Sequence, residues 1–116
     1  MPDEDKYAKE EVVYKTFEDF YPFYLTQHSK PLTKLFHFIG TTLGLCQLVL
    51  FVQTCIDKLP EYKLLLTGVF TGYFFAWISH FFIEKNKPAT FKYPLYSLRG
   101  DFKMWAEILL CKHRVI

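Results

Sequence analysis

The sequence lacks three features that would place it in common protein classes. It has only three cysteines and no CxxC pair, which excludes a disulfide framework and indicates buried thiols in a reducing compartment. Its net charge is only +2, and no basic patch is interleaved with aromatic residues, so we expect no nucleic-acid partner. The first eleven residues are acidic overall, so we expect no cleaved signal peptide.

Two long runs of the sequence also contain almost no charged residues, and these runs are the strongest indication of the fold. Residues 35–56 contain no Asp, Glu, Lys or Arg, and residues 63–83 contain only Lys63. A membrane-spanning helix needs about 20 mostly apolar residues, whereas helices of soluble proteins average about 10–14. We therefore predict spanning helices at about 35–56 and 63–84, with a soluble bundle as the weaker alternative.

The predicted fold is an all-α integral membrane protein, with residues 1–116 forming one membrane domain. The two spans form a helical hairpin, flanked by two amphipathic, interfacial helices. The first flanking helix carries an apolar stripe at helical spacing: Val13, Phe17, Phe20 and Tyr24. Asp101 is expected to cap the last helix, whose apolar face would be Phe102, Trp105 and Leu109. Residues 89–100 are expected to be irregular and residues 1–11 disordered.

The basic residues predict the orientation of the hairpin. Five lysines precede the first span and seven Lys or Arg follow the second, while the loop between the spans has only Lys58 and the boundary residue Lys63. Basic residues favour the cytoplasmic side, so both termini should be cytoplasmic.

Four side chains that could hold a metal ion lie at one end of the predicted hairpin. Folding the helices about Leu59–Pro60 brings His37 within about 3 Å in depth of His80 and Glu84. His28 precedes the first span, and the turn at Pro31 can direct it back. Histidines with a carboxylate are the ligands of non-haem Fe(II) sites, and such donors also fit zinc.

The same residues also have an ordinary structural interpretation. His37 and His80 could hydrogen-bond each other, and Glu84 could pair with a neighbouring Lys or Arg. The depth match favours the metal site, and His113, in the charged tail, is taken as solvated. The patterns Gly40-xxx-Gly44 and Gly68-xxx-Gly72 allow helices to approach closely. When the hairpin is folded about its loop, however, the two patterns are expected to lie at different depths. Each is expected to receive an outer helix or a second subunit, so a homo-oligomer is a candidate assembly.

Two separated motifs carry a family resemblance. His28 and His37 form an H-x8-H pair after the aromatic segment 20–24, and His80-x3-Glu84-x3-Pro88-Ala89 follows later. These resemble the fungal 2-hydroxy fatty acid dioxygenase family of small endoplasmic reticulum membrane proteins, over about residues 17–101. That family has extra hydrophobic sequence between its motifs. It also has a second adjacent histidine where this chain has Ser29.

The resemblance implies Fe(II)-dependent α-oxidation in lipid metabolism, in which a 2-hydroxy fatty acid and O2 give a chain one carbon shorter. His28, His37 and His80 would be ligands, and Glu84 a ligand or the partner that orients His80. Four basic residues could hold the fatty-acid carboxylate: Lys34, Lys85, Lys87 and Arg99. The acyl tail would lie among Phe and Leu side chains in the bilayer.

The sequence is also compatible with two other classes of protein. A haem protein would use His37 and His80 as axial ligands, although Glu84 one turn away argues against it. A non-enzymatic membrane adaptor would use the histidines for packing only.

Overall fold

The computed structural model describes residues 13–88 and 92–115, and every regular element in these ranges is helical. The all-α class is therefore confirmed, while the stretch 1–11 lies outside the described residues. The elements are α1 (Phe17–Thr26), α2 (Pro31–Ile56), α3 (Tyr62–Ile78), a π-helical turn (Ser79–Glu84) that continues α3, and α4 (Pro94–Leu109). Pro31 opens α2, because the backbone N–H groups of the first helical turn have no partner within the helix and proline has no N–H to satisfy.

Helices α2 and α3 pack as an antiparallel hairpin along a glycine seam. A Cβ atom added to Gly44 would lie 3.1 Å from the carbonyl oxygen of Gly68. The two glycine patterns therefore face each other, and the expectation that they lie at different depths is wrong. The chain reverses earlier than the midpoint of the loop, because α2 ends at Ile56 and Lys58 adopts a left-handed conformation with φ of 63°.

Polar side chains also join the two long helices. Gln47 donates from Nε2 to Thr71 Oγ1 at 3.1 Å and accepts a hydrogen bond from the hydroxyl of Thr67. Hydrogen bonds between helices in apolar surroundings fix their register as well as their distance.

Helices α1 and α4 cover the open end of the hairpin and share an aromatic core. Phe20 and Tyr24 of α1 pack with Met104 and Ile108 of α4, all buried. The hydroxyl of Tyr21 donates to Glu107 across the same interface. Burial and this carboxylate raise the pKa of the Tyr21 hydroxyl far above its ordinary value.

Helix α4 begins seven residues before the expected capping residue, so the prediction that Asp101 is its N-cap is wrong. Pro94 occupies the first turn, where proline is favoured, and residues 94–100 are helical rather than irregular. The buried face consists of Ser97, Gly100, Met104 and Ile108. Phe102 and Leu109 are 43% and 54% exposed, so the predicted apolar face points mostly outward.

The outward faces of the hairpin are apolar. Two segments are long and apolar enough to cross a membrane, Pro31–Ile56 and Tyr62–Glu84, and only 11% and 22% of their most apolar windows are buried inside the protein. The core helix of a soluble protein would be mostly buried instead. The three cysteines are free but exposed, so the expectation of buried thiols is wrong.

A candidate metal site at the open end of the hairpin

Three histidines from three separate segments meet at the open end of the hairpin. His28 follows α1, His37 lies in the second turn of α2, and His80 lies in the π-helical turn. They are 1%, 4% and 2% exposed, and one ring nitrogen from each lies within 4.8 Å of the others. The sequence-predicted cluster of these three residues therefore forms in the structure.

The partners of two of these rings fix their tautomers. Nδ1 of His28 lies 2.7 Å from the carbonyl oxygen of Tyr24, which can only accept a hydrogen bond. Nδ1 of His80 lies 2.7 Å from Oδ1 of Asn86. The Asn86 amide is oriented by Gln27, because its Nδ2 donates to two oxygens of that residue at 3.1 Å each. Both Nδ1 atoms must therefore be donors, which leaves a lone pair on each Nε2.

The third histidine faces a carboxylate. Nδ1 of His37 lies 3.5 Å from Oδ1 of Asp101, and the same oxygen accepts a hydrogen bond from the hydroxyl of Tyr24. The negative charge favours the proton on Nδ1 of His37. His28 and His80 thus hold their protons on Nδ1, the nitrogen that points away from the cluster, and His37 has a carboxylate beside its own Nδ1, as metal-bound histidines do when an outer acceptor orients them.

The inner nitrogens approach each other closely. Nε2 of His28 lies 3.1 Å from Nε2 of His37. At that distance Nε2 of His37 can donate a hydrogen bond to the lone pair of His28, and the same spacing suits two ligands of one cation. At metal–nitrogen distances of about 2.1 Å, two ligands of one ion are about 3.0–3.4 Å apart. Burial, together with the neighbouring charges of His37 and His80, holds the pKa of His28 well below its ordinary value, so the ring stays in the neutral form that binds metals.

A small polar cavity lies between these rings and α4. Its volume is about 10 Å³, which is the room of one water molecule or ion. Ser97 lines it, and its hydroxyl, only 2% exposed as a residue, has no hydrogen-bond partner among the described residues. A buried unpaired hydroxyl is uncommon and indicates that a further group belongs there.

Glu84, the fourth predicted ligand, is used differently. Its carboxylate accepts hydrogen bonds from the backbone N–H of Lys30 at 2.6 Å and from the hydroxyl of Ser29 at 3.0 Å. It therefore binds the N-terminus of α2, where a negative charge is favourable. The outer nitrogen of His80 is bound by Asn86 instead, so the orienting role expected for Glu84 belongs to Asn86.

The basic residues expected at the substrate carboxylate are spread around the site rather than gathered in it. Lys34 is half-buried and close enough to lower the pKa of His28 further. Lys85 and Lys87 are exposed, and the guanidinium of Arg99 lies 4.2 Å from the ring centre of Phe17.

His113 lies away from this cluster but is not simply solvated. Its Nε2 is 3.1 Å from Glu107, and it is half-buried. Burial opposes ionisation of Glu107, but hydrogen bonds from Tyr21 and His113 hold the pKa of its carboxyl below the ordinary value.

Four residues of the site were missed by sequence reasoning: Tyr24, Asn86, Ser97 and Asp101. Asn86 is six residues after His80, and this spacing does not place the two on one face of a helix. Asp101 was assigned to a helix cap, which hid its position on the inner face of α4. The available signal was that three of its helical neighbours three and four positions away, Leu98, Met104 and Trp105, are apolar.

Comparison with known protein families gives a match that includes the same residues. The family model described as 2-hydroxy-palmitic acid dioxygenase Mpo1-like matches residues 14–113, which include the three clustered histidines and the other four residues of the site. The chain belongs to this family. No curated protein and no solved structure matches it significantly.

The Mpo1-like assignment confirms the family resemblance carried by the two histidine motifs. The matched region runs from three residues before α1 to four residues after α4. The match therefore covers the histidine cluster as well as the hairpin.

Proposed function

We propose that this Mpo1-like protein is an iron-dependent dioxygenase of 2-hydroxy fatty acids. The observation that carries the proposal is the convergence of three buried histidines, each of which has an oxygen acceptor beside its Nδ1. His28 Nε2 and His37 Nε2, 3.1 Å apart, are suited to share one cation. A set of neutral imidazoles with room for further ligands is typical of non-haem iron sites, and zinc is the alternative metal.

The protein's own residues hold and shield the centre. His28, His37 and His80 would bind the metal, while Tyr24, Asn86 and Asp101 keep their rings in place. The aromatic core of α1 and α4 excludes bulk water from one side. Bound iron would supply the activation of O2 that organic side chains cannot provide. The overall conversion balances as 2-hydroxy acid plus O2 giving the acid one carbon shorter, CO2 and water.

A bilayer is the proposed location of the hairpin. Its two long helices are apolar outward, and the basic residues gather at the end that carries the histidines. Residence in the endoplasmic reticulum remains a prediction from the family resemblance.

The orientation can be tested by labelling single cysteines in a cysteine-free background. A cysteine at position 58 should react only with a reagent on the far side of the membrane, and one at position 5 only from the cytoplasm. Labelling of both positions from one side would contradict a two-span hairpin with cytoplasmic termini.

A haem protein is the less favourable alternative. The ring centres of His37 and His80 are 5.1 Å apart at an interplanar angle of 84°, and His28 fills the space beside them, 4.5 Å from His80. A porphyrin plane between them would have to displace His28.

Turnover by the purified protein tests the proposal directly. The protein in lipid nanodiscs, reconstituted anaerobically with Fe(II), should consume O2 when 2-hydroxy-palmitic acid is added and release the shortened acid. Palmitic acid itself should not be a substrate, because it lacks the 2-hydroxyl group. Iron binding without turnover on any 2-hydroxy acid, or no metal binding at all, would refute the proposal and favour an adaptor.

A further inference from the structure

A second and larger cavity adjoins the histidine cluster. It is a groove of about 220 Å³ between α2 and α3. His37, Ala76 and Asp101 border both this groove and the small polar cavity. From there the groove runs along the hairpin to Leu48 of α2 and Leu64 of α3. The groove thus has one polar end, at the proposed metal site, and an apolar remainder.

The dimensions of the groove suit a single acyl chain. The eleven steps along the helix from His37 to Leu48 span about 16 Å at about 1.5 Å per helical residue. One leaflet of a bilayer has a hydrocarbon depth of about 15 Å, which is the reach of one lipid tail. Leu48, Leu65 and Val69 on the rim are 40%, 37% and 53% exposed, so a tail could enter sideways from lipid.

The polar end distinguishes a fatty acid from other apolar occupants. The unpaired hydroxyl of Ser97 lies in the cavity beyond the groove, next to the histidines. A molecule with one polar head and one apolar tail satisfies both ends. A second copy of the chain could cover the exposed rim of the groove, but it would bring no polar group to the polar end beside the histidines.

Gly72 is the position where the groove is most easily filled. Gly72 lines the groove, and a Cβ atom added to it would point into open space, with no packing neighbour within 4 Å. The other seam glycines behave differently, because a Cβ on Gly40 would lie 2.7 Å from Phe75 and one on Gly44 only 3.1 Å from Gly68. Gly40 and Gly44 hold the helices together, whereas the missing side chain of Gly72 leaves room for something else.

We propose that the groove between α2 and α3 binds the tail of one 2-hydroxy fatty acid, and that Gly72 keeps the path from the tail to the histidines open. The inference rests on the proposed function for the identity of the head group. The tail site itself stands on the shape and lining of the groove.

Photo-crosslinking in nanodiscs tests the tail site without requiring iron or turnover. The probe is a 2-hydroxy acid of palmitic chain length with a diazirine at the end of its tail. Crosslinks that excess 2-hydroxy-palmitic acid removes should map to the far end of the groove, at Leu48, Leu64 or Leu65. Competable crosslinks only on the outer face, at Phe70 or Phe74, would overturn the inference.

Substitutions at Gly72 make the test specific. Gly72→Leu should reduce the competable crosslinking by about 10-fold or more, the size expected when a filled apolar site is overpacked. Gly72→Ala should reduce it only slightly. Phe70→Trp is the matched control, because Phe70 is 69% exposed and adds bulk outside the groove. Equal crosslinking in Gly72→Leu and the parent protein would refute the tail site.

Two further measurements separate this inference from the proposed function. A phospholipid with the same diazirine tail should give no competable crosslink in the groove, and finding one would assign the groove to bilayer lipid. Tail crosslinking in a protein that binds no metal would refute the iron enzyme while leaving the tail site intact. Full turnover of the long substrate by Gly72→Leu would refute the tail site while leaving the enzyme intact.

Discussion

Replacing His28, His37 or His80 singly by alanine should abolish stoichiometric metal binding. Each residue provides one of the three clustered nitrogens, and each is at most 4% exposed, so a water molecule or a neighbouring side chain cannot easily replace it. Loss of a residue that only supports a ligand typically weakens metal binding about 10–100-fold, and loss of a ligand should cost at least that much. The measurement is Fe(II) and Zn(II) stoichiometry after anaerobic reconstitution, with the helical spectrum as a check on folding.

Two variants serve as controls in the same experiment. His113→Ala removes the fourth histidine, which contacts Glu107 and not the cluster. Glu84→Gln removes a carboxylate that binds Ser29 and the N-terminus of α2. Both should retain the metal. Complete loss of metal in a folded Glu84→Gln protein would show that Glu84 is a metal ligand after all. Full retention of metal in all three histidine variants would refute the metal site.

Substitution of Gly44 by leucine should destabilise the hairpin by about 3 kcal/mol, near the upper end of the usual range for overpacking. Even the first added carbon would lie 3.1 Å from the backbone oxygen of Gly68, and backbone cannot move aside as a flexible side chain can. The helices must separate, which would also weaken the hydrogen bonds of Gln47 across the seam. Thermal melting in detergent or nanodiscs measures the effect.

Gly72→Ala is the matched comparison, because its added methyl group meets nothing within 4 Å. It should leave the melting temperature unchanged or raise it slightly, since alanine favours a helix by up to about 1 kcal/mol over glycine. A stability loss as large as that of Gly44→Leu would show that the seam is not the close contact described above.

The sequence predicted the hairpin and the histidine cluster because both depend on composition and on coarse depth. Two charge-free runs with a short loop between them allow little besides an antiparallel pair. His37 and His80 remain near each other even when the assumed turn is displaced by several residues, because both lie close to the same end of the hairpin.

Features that depend on exact register were not predicted. The chain reverses at the left-handed residue Lys58, and in the resulting register Gly44 meets Gly68. The π-helical turn directs His80 and Glu84 to different partners, although a regular helix would place residues four apart on one face. Local spacing holds no information about either feature, because both are settled by packing against other segments.

Tyr24 has a consequence for how the cluster can vary. Its backbone carbonyl holds His28 and its hydroxyl holds Asp101, which in turn faces His37. Two of the three rings therefore share one anchor, and a shift of α1 against α4 displaces both of them together. Their contributions should be energetically coupled and not additive, as for residues in one hydrogen-bond network. Small changes in α1 and α4 can thus alter the geometry of two rings at once, even though neither helix contributes a ring of its own.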